Sequence, residues 1–199
     1  ERRVQVAGWG REDHKVLSFL GRVIRLLPAG IELEGDGKHV GLLEEEWGIA
    51  KCKPVATPYV KPVASPTRDS GPGGGAEAKA MSPADATLYR RAAARINYVA
   101  LDRPDLSFAS RVASSSMSNP KEGDDQLIKR IIRYLKGKPR VAIRYKFQEE
   151  SEGIIFYTDS DWAGDLVTRK STSGGVVCRG NHTISWWCKL QFNIALSSC

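Results

Sequence analysis

Apolar positions recur at helical spacing in the middle of the chain and at strand spacing on either side of it. Val16 to Ile24 and Gly30 to Leu33 read as two strands that pair across the turn residues Pro28 to Gly30. Lys38 to Trp47 places Val40, Leu43 and Trp47 on one side, with Gly48 as its stop, and predicts a short helix. Further on, Ser82-Pro83-Ala84-Asp85 supplies a cap, a first-turn proline and an early carboxylate. The helix starting there brings Leu88, Ala92, Ile96 and Val99 onto one face. Arg103-Pro104-Asp105 interrupts it and opens a second helix, through Phe108 and Val112 to Met117, which Asn119-Pro120 ends. A third helix turns Leu127, Ile128, Ile131, Ile132 and Leu135 inward and Lys129, Arg130, Arg133 and Lys136 outward, and Gly137 stops it.

The last third changes period. Val141 to Phe147 alternates as a strand, Gly153 to Tyr157 is a short apolar run expected to be largely buried, and Gly174 to Arg179 and Thr183 to Trp187 follow across Gly180-Asn181. Ile194 to Leu196 is expected to add to the last of these. Together they predict a mixed, mostly antiparallel sheet, and the fold class is α+β. Between the two halves, Pro54, Pro58, Pro62 and Pro66 precede Ser70-Gly71-Pro72-Gly73-Gly74-Gly75. Such a run cannot propagate a ladder, so 59–81 reads as a linker. No Gly-Lys-Ser/Thr follows its glycines, which excludes a phosphate cradle of that type.

With 199 residues, 41% of them hydrophobic and 27% charged, the composition fits one or two folded domains and excludes a wholly disordered chain. No apolar run approaches the ~18 residues that span a bilayer, so no membrane partner is expected. Neither an initiator Met nor a charged-then-apolar leader is present, and the expectation is an intracellular, non-secreted fragment of a longer chain. Four cysteines without a C-x-x-C pair and three scattered histidines lack zinc-ligand spacing and fit a reducing compartment. Lys and Arg number 30 against 23 Asp and Glu, for a net +7, and between Leu88 and Phe147 the count is fourteen against five, a local +9. Concentrated positive charge favours a polyanion, whose counterions are released on contact, although a solvated basic face is the alternative.

The densest chemistry is Tyr157-Thr158-Asp159-Ser160-Asp161-Trp162-Ala163-Gly164-Asp165. Three carboxylates lie just past a hydrophobic strand, and hard oxygen ligands held that way suit Mg²⁺ or Mn²⁺. On local chemistry alone, an acidic turn with capping aspartates is the favoured account of them.

That stretch, followed by Arg169-Lys170-Ser171-Thr172-Ser173-Gly174-Gly175, closely resembles the ribonuclease H domain of copia-type LTR retrotransposon Pol polyproteins. Arg103-Pro104-Asp105-Leu106, Met117-Ser118-Asn119-Pro120 and Arg133-Tyr134-Leu135-Lys136-Gly137 resemble the three-helix stretch that precedes it in this family. Phe19-Leu20-Gly21 and Cys52-Lys53-Pro54-Val55-Ala56-Thr57-Pro58 resemble the tail of its reverse transcriptase. The motifs run in family order from about residue 16 onward. The resemblance implies a reverse transcriptase tail over 1–58, the linker at 59–81, a basic three-helix connection over 82–147 and the first part of a ribonuclease H over 148–199.

The same resemblance implies roles. Asp159 fills the first position of a carboxylate set that holds two divalent ions, Mg²⁺ or Mn²⁺, for cutting the RNA strand of an RNA–DNA hybrid. Asp161 is a supporting residue, and Lys129, Arg130, Arg133 and Lys136 are candidates for nucleic-acid contact. Implied partners are an RNA–DNA hybrid or other nucleic acid and the rest of the Pol polyprotein, in a cytoplasmic particle or the nucleus. The family's Tyr-x-Asp-Asp motif would lie before Glu1, and its Glu-Ala-Glu-Tyr segment with the remaining ligands after Cys199, so catalysis by this segment alone is not expected. Trp187 stands where the family usually has a polar residue, and Phe19-Leu20-Gly21-Arg22-Val23 departs from the usual Gly-Ile or Gly-Met. A non-catalytic basic nucleic-acid-binding module and a decayed transposon relic are the alternative readings.

Overall fold

The computed structural model describes residues 7–49, 51–61, 79–150, 153–165 and 168–197. The first apolar stretch forms two strands rather than one, β1 (Val16–Phe19) and β2 (Arg22–Leu27), folded back on each other through Leu20 and Gly21. Both turn residues have positive φ, 49° and 71°, the two-residue hairpin geometry whose twist matches that of paired strands. Leu20 concealed this turn, because a leucine rarely takes a positive φ. β3 (Gly30–Gly35) pairs antiparallel with β2. At Gly30, φ is 147° and a Cβ would overlap the carbonyl of Tyr145, so glycine alone lets the next strand approach.

That next strand is β4 (Ala142–Lys146), which pairs antiparallel with β3 and completes the sheet order β1-β2-β3-β4. The sequence pattern had grouped this strand with the C-terminal sheet, and the structure assigns it to the N-terminal one. Charge explains the choice. Glu32 and Glu34 alternate with Ile31 and Leu33 yet are buried, at 5% and 8% exposure. Arg144 Nε lies 3.0 Å from Glu32, Arg140 Nε lies 2.6 Å from Glu34, and Arg25 of β2 reaches both carboxylates. The hydrogen bond from Arg140 is the largest influence on the Glu34 carboxyl, holding it below its ordinary pKa against the effect of burial. Without β4 and the residues before it, two buried carboxylates would share one arginine. The opposite face of the sheet carries the apolar row Leu17, Ile24, Leu33 and Ile143.

Between β3 and β4 the described residues form four α-helices, α1 (Lys38–Glu46), α2 (Pro83–Ala100), α3 (Ser107–Ser115) and α4 (Asp125–Gly137). Ser82 caps α2 by accepting from the Asp85 amide at 3.2 Å, with Pro83 in the first turn, as the sequence predicts. Leu43, Tyr89, Ile96, Leu106, Ile131 and Leu135 are fully buried where the four helices meet. The α2 stripe is centred on Tyr89 and Ala93 rather than on Leu88, which is half-buried. The segment read as a linker is anchored at both flanks: Tyr59 packs on the core, and Met81 donates its amide to Pro120 at 3.0 Å. Its stretch from 62 to 78 lies outside the described residues.

Arg103-Pro104-Asp105 does more than interrupt a helix. Arg103, 4% exposed, donates twice to the Asp105 carboxylate, at 2.9 and 2.8 Å, and once to the Lys138 carbonyl at 3.0 Å. Tyr134 of α4 donates its hydroxyl to the same carboxylate at 2.7 Å. The start of α3, the body of α4 and the exit toward β4 are thereby joined through one carboxylate.

The C-terminal sheet has the order β5-β6-β7, from β5 (Ile154–Ser160), β6 (Thr172–Arg179) and β7 (His182–Leu190), and all its pairings are antiparallel. The predicted mixed sheet is therefore two antiparallel sheets. Ile194 to Leu196 forms no strand, and Ile194 and Leu196 are exposed. The apolar run of β5, expected to be buried, is exposed throughout, with Phe156 at 64% and Tyr157 at 60%. Hydrophobicity marked this strand for burial, but among the described residues no helix layers onto it.

Removing the Asp105 carboxylate by substitution with Ala leaves Arg103 buried and unpaired, and should lower unfolding stability by about 3 kcal/mol in a denaturant titration. Burial opposes ionisation of Asp105, but the Arg103 and Tyr134 hydrogen bonds prevail and hold its carboxyl below the ordinary pKa. A depressed folded-state pKa contributes stability that is present above the unfolded value, about pH 4, and lost as the pH falls through the folded value. The wild-type chain should therefore lose stability below about pH 4 more steeply than Asp105→Asn does. Parallel acid profiles would show that the pair does not couple to folding.

Candidate nucleic-acid interface

The acidic motif does not gather its carboxylates. Asp159 sits within β5 opposite Gly174, exposed, and one of its oxygens accepts from the adjacent Ser160 amide at 2.9 Å. Asp161 clasps the start of β6: its amide donates to the Thr172 carbonyl at 3.1 Å, and its Oδ1 accepts from the Thr172 amide at 2.6 Å. Ser171, buried at 1%, reinforces this turn by accepting from the Ala163 amide at 3.0 Å. Asp165 accepts from the Thr168 amide at 3.1 Å. Each carboxylate is thus turned to its own local backbone donor. Among the described residues no three His, Cys, Asp or Glu side chains stand together to hold a metal ion. The donor set described does not fit a pair of divalent ions.

The basic side of α4 is more organised than its sequence suggests. Residues 51–60 run as an extended strap over it, with Val55 and Tyr59 packed against the core. Prolines at 54 and 58 leave the strap few amides of its own to bond. Basic side chains supply much of the fastening. Arg130 donates to the Thr57 hydroxyl at 2.9 Å, Arg133 to the Lys53 carbonyl at 2.8 Å and Lys136 to the Cys52 carbonyl at 2.9 Å. Lys129 instead pairs with Asp125 one turn earlier, at 2.5 Å. All four side chains are half-buried, with stems covering apolar surface and charged ends at the rim.

Part of the concentrated charge of the middle segment is offset within the fold. Glu32 and Glu34 neutralise Arg140 and Arg144, Glu46 lies 3.2 Å from Arg95, and Asp105 holds Arg103. Among the described residues, Arg111, Arg130 and Arg133 pair with no carboxylate. Arg111 lies over the Phe108 ring at 5.2 Å, and Phe108 meets the Tyr59 ring edge-on at 5.0 Å. Burial raises the Tyr59 hydroxyl pKa, and the Arg111 charge works against that rise. Beside Tyr59 a groove of about 330 Å³ opens, walled by Val112, Ser116, Lys129, Arg130 and Arg133. It brings together three of the four predicted basic residues and leaves out Lys136. Tyr59, Phe108 and Arg111 were missed in the sequence because they come from the supposed linker and the next helix, and only folding places them beside α4.

No protein-family model matches the chain. No solved structure matches it either. Among known proteins it is similar to the retrovirus-related Pol polyprotein from transposon RE1 of Arabidopsis thaliana, 35% identical over 94% of the chain. The corresponding polyprotein from transposon RE2 of the same plant is 34% identical over 94% of the chain. The chain spans 12% of the length of each of these relatives. An uncharacterised mitochondrial protein of A. thaliana is 32% identical over 90% of the chain, which covers 70% of that protein. An α+β chain whose sequence aligns almost end to end with a stretch of these polyproteins belongs to the retrovirus-related Pol polyprotein family of transposons.

Proposed function

We propose that the chain is the segment of a copia-type Pol polyprotein that joins the tail of its reverse transcriptase to the first strands of its ribonuclease H, and that it holds an RNA–DNA hybrid against the basic side of α4. The observation carrying this reading is the groove beside Tyr59, where Arg130 and Arg133 have no carboxylate partner among the described residues. Cations without a carboxylate partner that line one groove are suited to phosphate, and each contact adds to affinity by releasing counterion. The groove carries no side-chain pattern for reading base edges, so contact is through the backbone and independent of sequence. In this reading Asp159 is the first metal ligand of the polyprotein, and the other ligands come from elsewhere in it. The segment's own contribution is to position nucleic acid.

Replacing Arg130 and Arg133 together with Ala should weaken binding to a hybrid and to duplexes of any sequence about equally. The slope of log affinity against log salt should fall by roughly two if both reach phosphate. Circular dichroism checks that the variant is folded, and hydrogen exchange over 52–57 reports the strap. An unchanged isotherm in a folded variant would mean that these arginines serve the strap alone.

In a longer polypeptide that carries the relatives' following Pol sequence, Asp159→Asn should abolish Mg²⁺-dependent cleavage of a hybrid while leaving its binding intact. Cleavage that survives the substitution would remove Asp159 from the active site.

A further inference from the structure

A second groove, of about 500 Å³, lies between the helices and the C-terminal sheet. Its helical wall is small and polar. Ser107, Ser110 and Ser114 recur along α3 with Arg111 among them, and Asn97 of α2 bonds the Ser110 hydroxyl. Its strand wall is β7, where Trp186 and Cys188 share one face of the ladder opposite Val176 and Gly174. Arg111 lines the same groove as Cys188, whose thiol pKa burial raises and the Arg111 charge opposes.

Arg111, like Arg95 and Arg130, has a buried guanidinium nitrogen without a hydrogen-bond partner among the described residues. In Arg111 this nitrogen is Nε, and the side chain pairs with no carboxylate there. Its one recorded companion is the face of Phe108. A buried guanidinium donor without an acceptor is costly, and an anion in the groove is the group that would satisfy its charge. The same groove is lined by a half-buried indole, Trp186. A cation and an indole lining one cleft of nucleotide-accommodating size are the two elements that hold unpaired nucleic acid, one on phosphate and one on a base. Exposed Lys189 at the rim adds a further positive charge.

We propose that this groove binds single-stranded nucleic acid, with Arg111 on a phosphate and a base stacked on Trp186. The site is separate from the basic side of α4, and it rests on the reading of the chain as a nucleic-acid-holding segment. In the joint picture a paired region lies along α4 and an unpaired strand enters between α3 and β7.

The test uses the full 199-residue chain with a short oligothymidylate and, separately, an RNA–DNA hybrid. Oligothymidylate should quench tryptophan fluorescence, and Trp186→Ala and Arg111→Gln should each weaken its binding about tenfold or more. Trp186→Phe should restore most of the affinity, since a phenyl ring still stacks, and it keeps the test meaningful if the alanine variant fails to fold. Lys189→Ala, at an exposed position, should lower affinity several-fold and make it less salt-sensitive. Hybrid binding should be unchanged in the Trp186 and Lys189 variants. Oligothymidylate affinity unaltered in folded Trp186→Phe, Arg111→Gln and Lys189→Ala variants overturns the proposal, as does equal loss of both ligands, which would mean one shared site. If the hybrid fails to bind while oligothymidylate binds as stated, the α4 reading falls and this one stands. If neither binds, both fall.

Discussion

Two buried carboxylates govern how the chain closes. Glu32 and Glu34 occupy positions in β3 where a residue is almost fully enclosed, and an uncompensated charge there would cost several kcal/mol. Arg25 alone cannot serve both. The remaining cations, Arg140 and Arg144, arrive only after four helices and some hundred residues of chain. The helices must therefore pack so that the end of α4 delivers β4 alongside β3. The Arg103–Asp105–Tyr134 junction does that, because Arg103 also grips the Lys138 carbonyl just before β4 begins. Replacing such ion pairs with apolar side chains is often neutral for stability. Their consequence here is specificity of closure, since a slip of one residue in β4 would take Arg144 to the apolar face, beside Leu33.

The same pairing shapes what charge remains available. A count along the sequence gives the middle segment a strong positive balance, and Glu32, Glu34 and Glu46, which lie earlier in the chain, offset part of that excess within the fold. Of the cations without a carboxylate partner among the described residues, two arginines lie along the strap of α4 and one on α3. Charge spread evenly over a surface attracts polyanions diffusely, whereas a few cations set beside aromatic rings in grooves give defined contact points. The fold thus turns a compositional bias into discrete places.

Much of the architecture could be read from the residues. The α4 stripe, the capped start of α2 and the strands flanking Gly180-Asn181 follow from spacing and punctuation, which are local properties. The failures share a cause. The Leu20–Gly21 turn was hidden because leucine at positive φ breaks the local rule. The partnership of β4 and the role of the strap depend on contacts between distant segments, and no periodicity encodes those. Asp159 was legible as a carboxylate at the end of a hydrophobic run, but its neighbours' commitments to Thr172 and Thr168 amides were not. Arg111 carries no signal of its own in the sequence; its significance comes from β7, which meets it from far along the chain.

The exposed β5 connects these points. A strand of Ile, Ile, Phe and Tyr that is open on both faces gains little from isolated burial, and its pairing rests on β6 alone. The adjoining turn nevertheless is tightly built, with Asp161 and Ser171 tying the strand exit to the start of β6. Local hydrogen bonds therefore hold the acidic motif in shape while the apolar strand beside it remains uncovered. The two grooves, lined by residues of α3, α4 and β7 among others, draw no residue from β5. The surface that still lacks a covering layer lies on β5, apart from both.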